Sequence, residues 1–121
     1  MKRELIWGKV KPGSKRGKLL GFPTLNLKLH KNISEGVYLA KVKIEGRLFS
    51  SLTFVGAAKT FGQKQKKVES YILDFDKDIY GKWITVELSQ KIRGNIKFNS
   101  EKELIRQIKK DLKFAMETFG K

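Results

Sequence analysis

Val37-Tyr38-Leu39-Ala40-Lys41-Val42-Lys43-Ile44-Glu45 alternates with a period of two, with Tyr38, Ala40, Val42 and Ile44 on one side and Lys41 and Lys43 on the other. Successive side chains of a strand point to opposite faces, so this stretch predicts a half-buried β-strand. The turn Glu45-Gly46-Arg47 leads into a second strand over Leu48 to Val55. Working outward, Glu4 to Val10 and Thr24 to Leu29 precede this pair, and Val68 to Phe75 and Trp83 to Leu88 follow it. Each is rich in β-branched or aromatic residues and bounded by Gly, Asp or Asn turns. Tyr38, Phe49, Tyr71, Phe75 and Trp83 fall inside these patterns and are expected in the core. Asp76 to Gly81 reads as a hairpin loop.

After residue 100 the period changes. Leu104, Ile105, Ile108, Leu112, Ala115, Met116 and Phe119 form a stripe at helical spacing. Ser100 and Glu103 make a capping box at its start, and Gly120 stands where a C-terminal cap belongs. Lys102, Arg106, Lys109, Lys110 and Lys113 lie off the stripe, on a solvated face. Six short strands and one amphipathic helix predict a mainly β protein: a six-stranded antiparallel β-barrel, or tight sandwich, with the helix against its outside or one open end. Closure into a barrel removes exposed edges.

The chain has 121 residues and 40% hydrophobic content, with no repeat, low-complexity tract or linker, so a single domain over 1–121 is expected. Cysteine is absent, which excludes disulfides, thiolate metal sites and cysteine nucleophiles. The only histidine, His30, has no assignable role, and histidine triads and multi-histidine metal sites are excluded. No apolar run has membrane-spanning length, and none of signal-peptide length follows Met1-Lys2-Arg3-Glu4-Leu5, which predicts a soluble cytoplasmic protein. Twenty-seven Lys and Arg against 12 acids give a net charge of +15. Such a field attracts nucleic acid, nucleotide phosphate or anionic membrane; it equally describes a lysine-rich surface of no specific purpose.

The segment from Gly8 to Leu27 carries Gly8, Gly13, Gly17 and Gly21, with Lys15, Arg16 and Lys18 among them. Glycine lets backbone N–H groups approach phosphate oxygens, and lysines neutralise their charge. It is not a P-loop, because Ser14 and Lys15 follow Gly13 in the wrong order and a strand comes next. A plain flexible basic loop fits equally. In Gly21-Phe22-Pro23-Thr24-Leu25-Asn26, proline fixes the chain just before a strand. Thr24 and Asn26 then share a face. A hydroxyl and an amide oxygen side by side can complete the shell of a Mg²⁺ that already holds phosphate oxygens; two outward polar residues are the plainer alternative. Glu69 lies in phase with Tyr71, Leu73 and Phe75, as a buried, paired structural acid or as a general base facing a pocket. Arg93 could clamp an anion or stack on a ring, or simply sit on the surface. Phe98 could offer an aromatic face or fill the core.

Taken in order, these segments resemble the riboflavin kinase family, including the kinase half of bacterial bifunctional FAD synthetases. The resemblance runs from about Gly8 to Ala115. It rests on the spaced glycines, on Gly-Phe-Pro-Thr-x-Asn at 21–26, and on Gly36-Val37-Tyr38, Val55-Gly56 and Thr60-Phe61. Val68-Glu69, Asp74-Phe75, Tyr80-Gly81, Arg93, Lys97-Phe98, Ile108 and Asp111 complete it. It implies ATP and riboflavin as substrates and FMN as product. ATP would lie under Gly13, Lys15, Gly17, Lys18, Gly21 and Pro23. Thr24 would bind Mg²⁺ or another divalent cation together with the phosphates, supported by Asn26. Glu69 would accept the proton of the riboflavin 5′-hydroxyl, and Arg93, Phe98, Ile108 and Asp111 would lie along the flavin. Three positions depart from the family: Leu25 replaces an alanine, Lys59 a proline, and Gly94-Asn95 a Pro-Glu pair. The sequence contains no nucleotidyltransferase half, so FAD synthesis is not expected; a monomer without membrane contact is. The rival reading is a basic β-barrel that binds RNA or single-stranded DNA. A third is a degenerate kinase that binds flavin or nucleotide without turnover.

Overall fold

The alternation of the central strand does what its pattern requires: Tyr38, Ala40, Val42 and Ile44 are buried in one cluster, while Val37 and Leu39 are buried in another on the opposite face. A computed structural model describes residues 4–12, 24–57, 66–73 and 79–119. Its elements are β1 (Glu4–Lys9), β2 (Lys11–Pro12), β3 (Thr24–Lys28), β4 (Gly36–Ile44), β5 (Arg47–Gly56), β6 (Lys67–Ile72), β7 (Trp83–Arg93) and α1 (Glu101–Thr118). They form one antiparallel sheet in the order β1-β7-β4-β5-β6-β3-β2. Six strands are those read from the sequence. The seventh, β2, has two residues and falls within the glycine-rich connection.

The sheet curls round its own core. Ile6 of β1 and Leu25 and Leu27 of β3 lie near opposite ends of the strand order, yet share one buried cluster with Val42, Val55, Val68 and Val86. β1 and β3 approach at Gly8, where a Cβ would make ordinary van der Waals contact with a methyl of Leu27 at 3.5 Å. No ladder joins β1 to β3 among the described residues. Side chains just beyond β3 serve the outer edge of β1 instead. The Trp7 amide donates to Nε2 of His30 at 3.3 Å, and Lys31 Nζ donates to the Leu5 carbonyl at 2.8 Å. Unpaired edge groups invite further strands, so His30, which the sequence left without a role, helps finish the edge. Three hydroxyls buried inside the curl satisfy one another, Ser51 with Thr53 at 3.1 Å and Thr53 with Ser70 at 2.8 Å.

The second cluster lies on the outer face. Val37 and Leu39 of β4, Leu52 of β5, Tyr71 of β6 and Leu73 pack against Ile108, Leu112 and Ala115 of α1, flanked by Leu104, Met116 and Phe119. Ser100 is the N-cap, its hydroxyl accepting from the Glu103 amide at 3.2 Å. The helix closes at Phe119; Gly120 lies outside the described residues. Lys102, Arg106, Lys109, Lys110 and Lys113 are exposed as expected. No helix here is long and apolar enough to cross a membrane among the described residues.

One core assignment needs correction. Trp83 is 67% exposed, because on β7 the core face is Ile84, Val86 and Leu88 and Trp83 has the opposite parity. Asp111, which lies among charged residues in sequence, is buried. Tyr38 and Tyr71 are in the core, Phe49 is partly buried against it, and Phe75 lies outside the described residues.

β4 and β7 approach so closely that one position excludes any side chain. A Cβ on Gly36 would stand 2.5 Å from the Arg93 carbonyl oxygen and 2.6 Å from Lys91 Cε. Backbone cannot yield as a flexible side chain can. Gly36→Ala is therefore expected to destabilise the protein by about 2 kcal/mol, within the usual cost of overpacking, read as a lower midpoint in thermal unfolding.

Candidate functional site

Strand register brings the sequence's separate candidates into one row. Asn26 of β3 is directly opposite Glu69 of β6, and Glu69 is opposite Phe54 of β5. Phe54 is opposite Val37 of β4, and Val37 is opposite Arg93 of β7. Residues paired across a ladder share a face, so this row crosses five strands on the face that carries α1. Four strand spacings make it about 19 Å long, measured along the sheet.

At one end lies a polar pair held in a dry setting. Glu69 is 1% exposed and Thr24 is buried beside it on the same face. Asn26 Oδ1 is buried and has no hydrogen-bond partner among the described residues. A buried acceptor left unmade costs about 1–3 kcal/mol, so something is wanted there. No group of three or more His, Asp or Glu side chains that could hold a metal ion occurs among the described residues. Mg²⁺ suits such a place, because it takes few protein oxygens and keeps waters or phosphate oxygens for the rest. Asn26 and Thr24, two apart on β3, present their oxygens on this one face.

The other end is a charged clip. Arg93 Nε and one terminal nitrogen donate to Asp111 Oδ2 at 3.0 and 2.8 Å, and Gln107 donates to Oδ1 at 3.0 Å. The guanidinium lies 5.8 Å from the centre of the Phe98 ring. Ile108, one turn before Asp111, is in the outer cluster. All four flavin-side candidates therefore lie at the junction of β7, α1 and the segment between them. Asn95 ties that segment down: its amide donates to Glu35 Oε1 at 2.8 Å and to the Ala57 carbonyl at 3.1 Å. Gly56, with φ +140°, permits this, since a Cβ there would stand 2.9 Å from Glu35 Oε1.

Gly13, Lys15, Gly17, Lys18, Gly21 and Pro23 lie outside the described residues, as do Lys59, Thr60 and Phe61. Both ends of the 13–23 connection are described. Pro12 pairs with Leu25 and Lys11 with Asn26, so the connection leaves and re-enters the sheet beside Thr24 and Asn26. Lys11 is exposed and directly opposite Asn26, which places a cation next to the oxygen pair. A two-residue strand has no readable alternation, so nothing in the sequence singled Lys11 out.

Residues 3–119 match the riboflavin kinase (Flavokinase) family. The chain belongs to that family. It is 43% identical over 117 residues to a trifunctional RibF/MnmA protein of Mycoplasmoides gallisepticum, aligning 94% of its own length and 18% of the relative's. It is 38% identical over 118 residues to a bifunctional riboflavin kinase/FMN adenylyltransferase of Haemophilus influenzae, aligning 95% of its own length and 38% of the relative's. A crystal structure of riboflavin kinase from Trypanosoma brucei superimposes with a TM-score of 0.63 at 26% identity, covering 100% of this chain and 82% of that one. The chain thus spans well under half of these two bacterial relatives and corresponds to the riboflavin kinase portion.

Proposed function

We propose that this chain transfers the γ-phosphate of ATP to the 5′-hydroxyl of riboflavin, giving FMN and ADP, with a divalent cation. The observation that carries the proposal is the cross-strand pair of Glu69, buried, and Asn26, whose carbonyl oxygen lacks a partner among the described residues. It stands on a face that leads to the Arg93–Asp111 clip.

Phosphoryl transfer asks mainly for positioning and charge neutralisation, because its transition state is loose. The hydroxyl oxygen bonds to the γ-phosphorus as the bridging β–γ bond breaks, and ADP leaves with that oxygen. Glu69 orients the hydroxyl and takes its proton. Thr24 and Asn26 hold the cation; when bound, it neutralises charge on the phosphate oxygens. Gly13, Lys15, Gly17, Lys18, Gly21 and Pro23 cover the nucleotide in this reading, and Lys11 faces the phosphates from the far side of Asn26. Arg93, Phe98, Ile108 and Asp111 position the flavin ring at the far end of the row.

The test is to incubate the protein with riboflavin, ATP and Mg²⁺ and to separate the flavins by chromatography. An FMN peak that needs both nucleotide and metal is expected. Its absence across several nucleotides and metals, with riboflavin still bound, would leave a flavin-binding protein without turnover. Thr24→Ala and Asn26→Ala should each raise the Mg²⁺ concentration needed for half-maximal rate by about tenfold, the loss of roughly one charge-assisted contact. An unchanged Mg²⁺ dependence would remove that residue from the metal shell.

A further inference from the structure

We propose that the outer face of β1 and β7, built on Trp7 and Trp83, binds single-stranded nucleic acid. The chain has two tryptophans, and both are on this face, 50% and 67% exposed. A tryptophan brings a large apolar area; Trp7 packs against His30, ring centres 4.4 Å apart, and the indole surface that remains, together with that of Trp83, calls for an occupant. Leu5, 43% exposed, and Leu48, 66% exposed, extend the same surface.

The two indoles are neighbours on the sheet. Trp7 is opposite Thr85, and Trp83 is two residues from Thr85 on the same face, so the tryptophans are diagonal neighbours across the ladder. Diagonal backbone positions lie about 7–8 Å apart, within reach of aromatic side chains. Between them opens a hollow of about 420 Å³, lined by both indoles, Lys43, Glu45, Gly46, Ile84 and Thr85.

The charge suits a polyanion. Lys9 is directly opposite Trp83 and Lys43 is directly opposite Thr85; Lys31, 5.3 Å from the Trp7 ring centre, is held by the Leu5 carbonyl and is not counted with them. Of the nearby acids, Glu45 is engaged by Lys82 at 2.7 Å and Glu4 by Lys31 at 3.7 Å. Glu87 is on the same face, opposite Leu5. Lys9 and Lys43 make no ion pair among the described residues, and the chain carries +15 overall. Aromatic faces beside uncompensated lysines are the two elements of single-strand binding: bases stack and phosphates are neutralised. A duplex keeps its base faces stacked inside, and a purely apolar partner would leave the lysines unused. Trp83 is ten residues from Arg93 along β7, about 33 Å, so this face is separate from the row described above and does not depend on the kinase reading.

The test measures fluorescence anisotropy of labelled 12-residue oligouridylate and oligothymidylate, with a duplex of equal length for comparison. The single strands should bind more tightly than the duplex, with affinity falling steeply as salt rises. Trp83→Ala and Trp7→Ala should each weaken binding about tenfold, the scale of one lost stacking contact. Trp83→Phe should retain most of the affinity. Lys9→Glu with Lys43→Glu should flatten the salt dependence. Trp83 is the safer position to alter because it is the more exposed, and an unchanged thermal midpoint certifies that the variant is folded. The two oligomers tell RNA from DNA. Absence of binding at low salt, or affinity unchanged when both tryptophans are replaced, would overturn the proposal. So would a concentration-dependent dimer that Trp83→Ala abolishes, since the face would then belong to a second copy of the chain.

Discussion

Glu69→Gln is expected to cut the rate of FMN formation by roughly a hundredfold or more while leaving riboflavin binding nearly intact. Glutamine keeps the length and volume of the side chain, so the buried position opposite Asn26 loses no packing. What disappears is the ability to take a proton. A positioned general base contributes about 10²–10⁴-fold, and a hundredfold corresponds to about 2.7 kcal/mol of barrier. Single-turnover FMN formation reads the chemical step, and quenching of riboflavin fluorescence reads binding. A slow step with unchanged affinity is what a catalytic base requires. The competing view of Glu69 is a structural acid on an apolar strand face. In that case Glu69→Gln would shift the unfolding midpoint and leave turnover per folded molecule as it was. The two measurements separate the readings, and retained turnover would take the base away from Glu69.

Much of this architecture could be read from parity alone. The strands were legible because one face of each packs on a core, which forces a period of two; α1 was legible because its stripe repeats at helical spacing. Polar stretches gave no such signal. β7 runs on to Arg93 through Ser89-Gln90-Lys91, held by pairing with β4 across two irregularities rather than by any pattern of its own. The exposure of Trp83 was available in principle, since Ile84, Val86 and Leu88 define the buried parity and exclude it. Asp111 is three residues after Ile108 and four before Ala115, so its position lies within the helical stripe. The row from Asn26 to Arg93 was not legible. Glu69 and Asn26 are 43 positions apart in the chain, and only the register of β3 on β6 makes them neighbours. Candidate residues could thus be named singly, but the order in which they lie along the face is set by tertiary pairing.

Asp111→Ala is expected to lower the thermal midpoint on the order of 10 °C, through the loss of about 3 kcal/mol. Asp111 is buried, and its carboxylate takes three donors, two from Arg93 and one from Gln107. Its removal strands a guanidinium whose side chain is 17% exposed. Breaking one partner of a buried pair costs about 3–5 kcal/mol, and the partial exposure of Arg93 puts this case at the lower end. The same pair is proposed to position the flavin, so a loss of activity in Asp111→Ala alone would be ambiguous. Replacing both partners resolves it. Arg93→Met with Asp111→Leu removes both charges and fills the space with apolar atoms, an exchange that is often neutral or stabilising. The double variant should therefore regain most of the midpoint. If Arg93 contacts the flavin, KM for riboflavin stays raised at least tenfold in that refolded background, because stability has returned and the cation has not. If KM returns together with the midpoint, the pair is a clip that holds α1 to β7, and the flavin-side assignment of Arg93 and Asp111 fails.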